Sequence, residues 1–212
     1  MDKAQNLTVI GLTGPSGSGK NIVAGVFSKH GIGIFDSDSV YHKLLIPPSA
    51  CSNELILEFG EEILNSDGTL NRQRLSEIVF SGEGHEERLA KLNKISHKHV
   101  VSECFRWIDE MKEKNMTAVL IDAPLLFESG LSEHCDFIIS VLADKDIRLS
   151  RIIERDNISK ENAIMRINNQ KPDEFYIEKS TFVIENNGLI SEVKEATEKV
   201  LSEILQKTQE RY

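Results

Sequence analysis

The sequence predicts an α/β fold in which a parallel five-stranded sheet is covered by helices. Three observations predict it. Five short apolar or β-rich runs are spread along the 212 residues, with helical stretches between them. The first two runs are joined by one helix, and such a βαβ unit places its strands parallel. The turn from the first run into that helix is GPSGSGKN (Gly14–Asn21), glycine-rich where a strand meets a helix.

LTVIGLT (7–13) reads as a buried strand. A helix then starts near Gly19 and runs through KNIVAGVFSKH to Gly31, a stop signal. IGIFD (32–36) is the second strand. From Ser39 to about Lys114 no strand is expected, and PPS (47–49) breaks the chain. ELILEFGEEIL, RQRLSEIVF and a long segment from Glu86 onward read as helices, with NSDGT turning between the first two. TAVLID (117–122) and FIISVLA (137–143) are the third and fourth strands, and Asp144 is placed to cap the next helix. A charged helical stretch leads to the fifth strand, TFVIEN (181–186), and an amphipathic helix from about Leu189 closes the chain. The length fits one domain, residues 1–212. Its core is expected at about 6–38, 115–147 and 177–212, with a helical subdomain at about 39–114 and a lid at about 148–176.

Composition narrows the function classes. The chain is 40% hydrophobic and 28% charged, as soluble globular proteins are, and its net charge is −9. An acidic chain is a poor match to duplex nucleic acid, which needs clustered Lys and Arg. Cys51, Cys104 and Cys135 lie far apart, without CxxC or zinc-type spacing, so they read as buried thiols of a reducing compartment. No apolar run approaches the roughly 18 residues of a membrane span, and the apolar N-terminal run enters the glycine-rich loop directly instead of ending as a signal peptide does. A cytoplasmic protein, with no membrane or nucleic-acid partner, is expected.

Gly14, four residues, then Gly19-Lys20 fits G-x-x-x-x-G-K. Glycines let backbone N–H groups turn inward on phosphate oxygens, and the helix N-terminus adds partial positive charge. The expected ATP-binding set is Gly14, Pro15, Ser16, Gly17, Ser18, Gly19 and Lys20, with Asn21 and Ile22 opening the helix; Lys20 reaches the β- and γ-phosphates. The pattern has Ser or Thr after the lysine, whose hydroxyl ligates Mg²⁺. Asn21 stands there instead, with a longer side chain and a hard carbonyl oxygen that can act through a metal-bound water. Asp122, ending an apolar strand, is the second candidate on the metal, although a turn or capping aspartate has the same appearance. NKIS (93–96) lacks the aspartate of a guanine-reading N-K-x-D, which argues against a GTPase.

FDSDSV (35–40) ends the second strand beside the phosphate loop, on the sheet edge where ligands collect. In extended chain Asp36 and Asp38 point to one side, placing two carboxylates where one can orient an acceptor hydroxyl or take its proton. A helix cap and a turn are the alternative reading of the pair.

In order, GLTGPSGSGK, FDSDSV, FGEEILNSDGTLNRQRLSEIVF, His97, APLLFESG, RIIERD, Gln170 and VIENNG resemble the dephospho-CoA kinases, over about residues 9–205. The resemblance implies a P-loop kinase that transfers the γ-phosphoryl group of ATP to the 3′-hydroxyl of dephospho-CoA, the last step of CoA synthesis, with Mg²⁺. It implies that Asp38 is catalytic alongside Lys20, that Arg72 and His97 belong to the acceptor-binding lobe with Asp36, and that Arg151 meets the phosphates of ATP. The chain departs from the family at Asn21, at Lys98 and at Ser180-Thr181. Arg148, Arg151 and Arg155 fall on one helix face and suit phosphate, or a solvated face paired with Glu154, Asp156 and Glu161. Arg166 follows in the next helical stretch. Alternatives to the dephospho-CoA kinase reading are another nucleoside-monophosphate-type kinase and a low-turnover nucleotide-dependent switch.

Overall fold

The computed structural model describes residues 7–210. In chain order its main elements are β1 (Thr8–Thr13), α1 (Lys20–Lys29), β2 (Gly33–Asp36), α2 (Ser37–Leu44), α3 (Ala50–Phe59), α4 (Arg72–Phe80), α5 (His85–Glu113), β3 (Ala118–Asp122), β4 (Phe137–Leu142), α6 (Lys145–Asp156), α7 (Lys160–Asn168), α8 (Asp173–Lys179), β5 (Phe182–Glu185) and α9 (Ile190–Glu210). Contacts divide the chain into two compact units. One holds the residues up to Phe35 and from Ile108 onward, and the other is Asp36–Trp107. Among the described residues no helix is long and apolar enough to cross a membrane.

The first unit is a five-stranded sheet in the order β2-β3-β1-β4-β5. The paired strands run parallel, with Leu12 opposite Asp122 and Thr13 opposite Ser140. All six residues of β1 are buried, as a central strand covered on both faces requires. Alternation sorts its side chains. Ile10 and Leu12 join Phe137, Ile139, Val141 and Ile184 on one face, beneath Val23 and Phe27 of α1 and Val193, Leu201 and Ile204 of α9. Gly11 faces the other way, where Leu126 and Cys135 occupy the space a Cβ would need. The Ser140 hydroxyl meets that of Ser180 at 2.6 Å, just past α8, which packs on β4 and β5. β1 is therefore covered on both faces, as its continuous apolar run in the sequence requires.

The second unit has its own core of Leu45, Cys51, Leu55, Phe59, Ile63, Leu75, Val79 and Ile95. Ser49 and Ser52 form a reciprocal capping box that starts α3. Two points differ from the sequence reading. ELILEFGEEIL is not one helix, because α3 stops at Gly60, whose φ of 84° is left-handed, and a single-turn helix at Glu61–Ile63 follows. The chain after β2 is not extended, since α2 begins at Ser37 directly behind the strand.

Candidate active site

The phosphate loop leaves β1 and enters α1 with a donor assigned to every carbonyl from Gly14 to Gly19. Lys20 Nζ donates to the Gly14 oxygen at 3.1 Å. The Pro15 oxygen accepts from Ser18 N–H at 3.2 Å, and that of Gly19 from Ile22 N–H at 3.0 Å. Arg148 Nε donates to the Ser16 oxygen at 3.1 Å, Arg151 Nη1 to that of Gly17 at 3.2 Å, and Asn186 Nδ2 to that of Ser18 at 2.7 Å. A loop whose carbonyls are all engaged in this way can offer its N–H groups to an anion. Ser18 is fully buried, and its hydroxyl has no hydrogen-bond partner among the described residues.

Two glycines show why the spacing is strict. Gly14 has φ 142°, and a Cβ there would stand 2.2 Å from the Val141 carbonyl oxygen of β4. Gly19 has φ 93°, and a Cβ there would stand 2.1 Å from Asn186 Nδ2. Both contacts are far inside van der Waals distance, so any side chain displaces the loop.

Helix α6 runs along the back of this loop. As the i, i+3, i+7 spacing predicts, Arg148, Arg151 and Arg155 share a face, and each reaches the loop. Arg148 is 2% exposed; besides Ser16 it donates Nη2 to Gln170 Oε1 at 2.5 Å and faces Asp173 Oδ1 at 3.6 Å. Burial pulls its pKa down and Asp173 pushes back, and a guanidinium remains charged at neutral pH throughout. Arg151 also donates Nη2 to the carbonyl and Oδ1 oxygens of Asn186, at 3.1 and 3.2 Å. Arg155 sits 3.4 Å from the Ser16 hydroxyl and pairs with Asp156, which Arg166 also contacts. Arg155 first, and Arg166 with it, hold the Asp156 carboxyl down at about 2. Asp144 does not cap α6 through its side chain as the sequence suggests. Its carboxylate accepts from Asn187 Nδ2 at 3.0 Å, while its N–H donates to Asn187 Oδ1 at 2.8 Å.

Asp122 ends β3 opposite Leu12, two residues before the loop begins, and its Oδ1 is buried. Asn21, in the first turn of α1, is exposed. Both present hard oxygens. No group of three or more His, Cys, Asp or Glu is assembled to hold a metal ion among the described residues.

In the helical unit Asp36 is the N-cap of α2, its Oδ1 accepting from Ser39 N–H at 3.0 Å. Asp38 is exposed in the first turn of the same helix, so the two carboxylates are related by a strand-to-helix turn and not by the i, i+2 geometry of extended chain. Arg72 opens α4, exposed, with Nη2 3.5 Å from the His42 carbonyl oxygen of α2. Tyr41, also on α2, has its pKa raised by burial, against Ser96 and Arg72, which lower it. His97 follows Ser96 on α5, and its Nε2 is buried. The two residues that follow His97 on α5 are tied to α3. Lys98 and His99 both contact Glu54 of α3, at 2.9 and 2.7 Å.

The structure adds Asn186 and Asp173 to the candidates. The signal for Asn186 was present in VIENNG, where an asparagine directly follows an apolar strand. Arg148 differs from its neighbours on α6 only in depth, which spacing does not encode.

The comparisons with known proteins agree with one another. The family model described as dephospho-CoA kinase matches residues 8–192. The chain is 38% identical over 195 residues to a dephospho-CoA kinase of Fusobacterium nucleatum, covering 92% of this chain and 97% of that one. It is 38% identical over 178 residues to that of Listeria monocytogenes, covering 84% and 88%. A crystal structure from Thermus thermophilus superposes with a TM-score of 0.78 at 29% identity, over 93% of this chain and 98% of that one. The fold also matches a shikimate kinase from Acinetobacter baumannii, TM-score 0.52 at 16% identity, over 96% of each chain.

Proposed function

The chain belongs to the dephospho-CoA kinase family, and from that premise we propose how its residues carry the family's reaction. That reaction is ATP-dependent phosphorylation of dephospho-CoA. The acceptor 3′-oxygen forms a bond to Pγ, the bond from Pγ to the β,γ-bridging oxygen breaks, and ADP leaves with that electron pair. The hydroxyl proton goes to a carboxylate, a role we assign to Asp38. It is exposed, and an aspartate is ionised at neutral pH.

Phosphoryl transfer leaves little covalent chemistry to the protein, so positioning and charge carry the rate. Backbone N–H groups of the glycine-rich loop and the dipole of α1 hold the phosphates. Lys20, which donates to the Gly14 carbonyl, turns to the β- and γ-phosphates of ATP. Arg151 holds the loop from behind and adds positive charge near the phosphates. The helical unit, with Asp36, Arg72 and His97, takes the acceptor, and the segment at about 148–176 forms the lid that excludes water.

Kinases that use ATP generally take a divalent metal with it, and Mg²⁺ fits the oxygens here. Asn21 and Asp122 are hard donors, and with no larger acidic cluster among the described residues the ion would be carried mainly by the triphosphate and its waters. When bound, Mg²⁺ neutralises charge on the β- and γ-phosphate oxygens. The three cysteines are free thiols, Cys51 and Cys104 buried with raised pKa values, which supports a reducing, cytoplasmic setting.

The observation that carries the reading is the family match over residues 8–192, because it spans the phosphate loop, the helical unit and the arginine-bearing helix. Steady-state ADP release with a panel of acceptors tests it. Dephospho-CoA should accelerate release far above AMP, adenosine or shikimate; a better rate with AMP contradicts the acceptor assignment.

A further inference from the structure

We propose that Asn186 is a positioning residue for phosphoryl transfer, one that sets the phosphate loop in its anion-binding form without touching nucleotide. The inference rests on the reading of the loop as the ATP site, and it concerns a residue outside both the loop and the lid helices.

Asn186 follows β5 and is 1% exposed. Its main chain is fixed, because its N–H donates to the Leu142 carbonyl of β4 at 2.8 Å. Its side-chain amide has two jobs. Nδ2 donates to the Ser18 carbonyl at 2.7 Å, and Oδ1 accepts from Arg151 Nη2 at 3.2 Å. The orientation of the amide is not ambiguous. A guanidinium only donates and a carbonyl only accepts, so the oxygen must face Arg151 and the nitrogen must face Ser18. The same Arg151 reaches the carbonyls of Gly17 and Ser18 at 3.2 and 3.5 Å. Asn186 thus holds the loop directly and holds the arginine that also holds the loop.

The peptide unit pinned by Nδ2 joins Ser18 to Gly19. Fixing its carbonyl toward Asn186 fixes the Gly19 N–H in the opposite direction, since the peptide is planar and trans. Gly19 is in left-handed conformation, which lets the chain turn there into α1. The amide lies so close to the Gly19 Cα that no Cβ fits between them. Without the pin, among the described residues only the longer 3.5 Å contact from Arg151 restrains the Ser18 carbonyl, and a rotated peptide points a carbonyl at the phosphates in place of an N–H. The loss falls on nucleotides that reach the centre of the loop with a β-phosphate, and not on the acceptor.

The test uses the full chain with Asn186→Ala and Asn186→Asp. The aspartate keeps the size and the partner for Arg151 but has no N–H for the Ser18 carbonyl. Calorimetric affinities for ADP and for AMP are measured, with KM for ATP and for dephospho-CoA, beside the melting temperature. Both variants should bind ADP about tenfold more weakly and raise KM for ATP in parallel. AMP affinity and KM for dephospho-CoA should stay within about twofold. A residue with only a structural role lowers the melting temperature or the active fraction and leaves the ratio of the two KM values unchanged. ADP affinity within twofold of the parent in both variants overturns the proposal, as does equal weakening of ADP and AMP, or failure of both variants to fold. ADP binding needs no acceptor, so this outcome is separate from whether dephospho-CoA is the substrate.

Discussion

Replacing Arg148 by Met removes one buried guanidinium and leaves a side chain of similar reach. The magnitude follows from its three partners. The Ser16 and Gln170 oxygens each lose a charged donor, at 3.1 and 2.5 Å. A hydrogen bond to a charged group contributes about 1.5–3 kcal/mol. Ser16 is only partly buried, so water recovers some of its share. Asp173, 37% exposed, is re-solvated, and its 3.6 Å pair adds about 0–1 kcal/mol. Removing a buried cation returns part of its desolvation cost. The net is about 3 kcal/mol, which for a chain of this length lowers the melting temperature by roughly 6–12 °C. Arg148→Lys should recover little, because one ammonium on a flexible stem does not span three acceptors held in a fork. The assay is thermal unfolding by circular dichroism, with KM for ATP measured on the folded variant. KM should rise, since the Ser16 peptide loses its anchor. A melting temperature within about 2 °C of the parent, with KM unchanged, refutes the view that Arg148 ties the loop to the segment bearing Gln170 and Asp173.

Further outcomes follow from three aspartates. Asp38→Asn should cut the single-turnover rate by about 10²–10⁴ with ATP affinity nearly unchanged. Asp36→Asn should cost little, because asparagine caps a helix as well as aspartate does; if Asp36→Asn is the more damaging change, the base is misassigned. The Asp156 carboxyl is held at about 2 against an ordinary 3.8 by Arg155 and Arg166. A depressed carboxylate stabilises the fold above its unfolded pKa and loses that stabilisation as pH falls through the folded one. The stability difference between the parent and Asp156→Asn should be constant above about pH 5 and shrink between about pH 4 and 2; a difference that grows on acidification contradicts the pairing.

Much of the fold is legible in the sequence because the three inner strands β1, β3 and β4 are buried almost throughout. An apolar run such as TAVLID needs no partner to be recognised, and the glycine-rich turn declares the strand-to-helix junction within eight residues. The i, i+3, i+7 arginines were equally legible, since helical periodicity is local. What those arginines contact was not. Arg148 meets Ser16 across 132 residues, and Asn186 meets Ser18 across 168, so nothing in the local pattern marks them as partners. The α2 start stands in the sequence only as the alternative reading of Asp36 and Asp38, because an aspartate that ends a strand and an aspartate that caps a helix look alike, and Asp36 does both. Gly60 leaves no mark on the apolar spacing of ELILEFGEEIL, which continues through it, while its left-handed backbone ends the helix.

The most direct measurement is transfer of the labelled γ-phosphoryl group of ATP in a single turnover, followed by mapping of the label on the product. With dephospho-CoA as acceptor the label should appear as a 3′-phosphomonoester, one per ADP formed. Label released as inorganic phosphate at the same rate with and without dephospho-CoA, or carried to AMP in preference, would contradict the account.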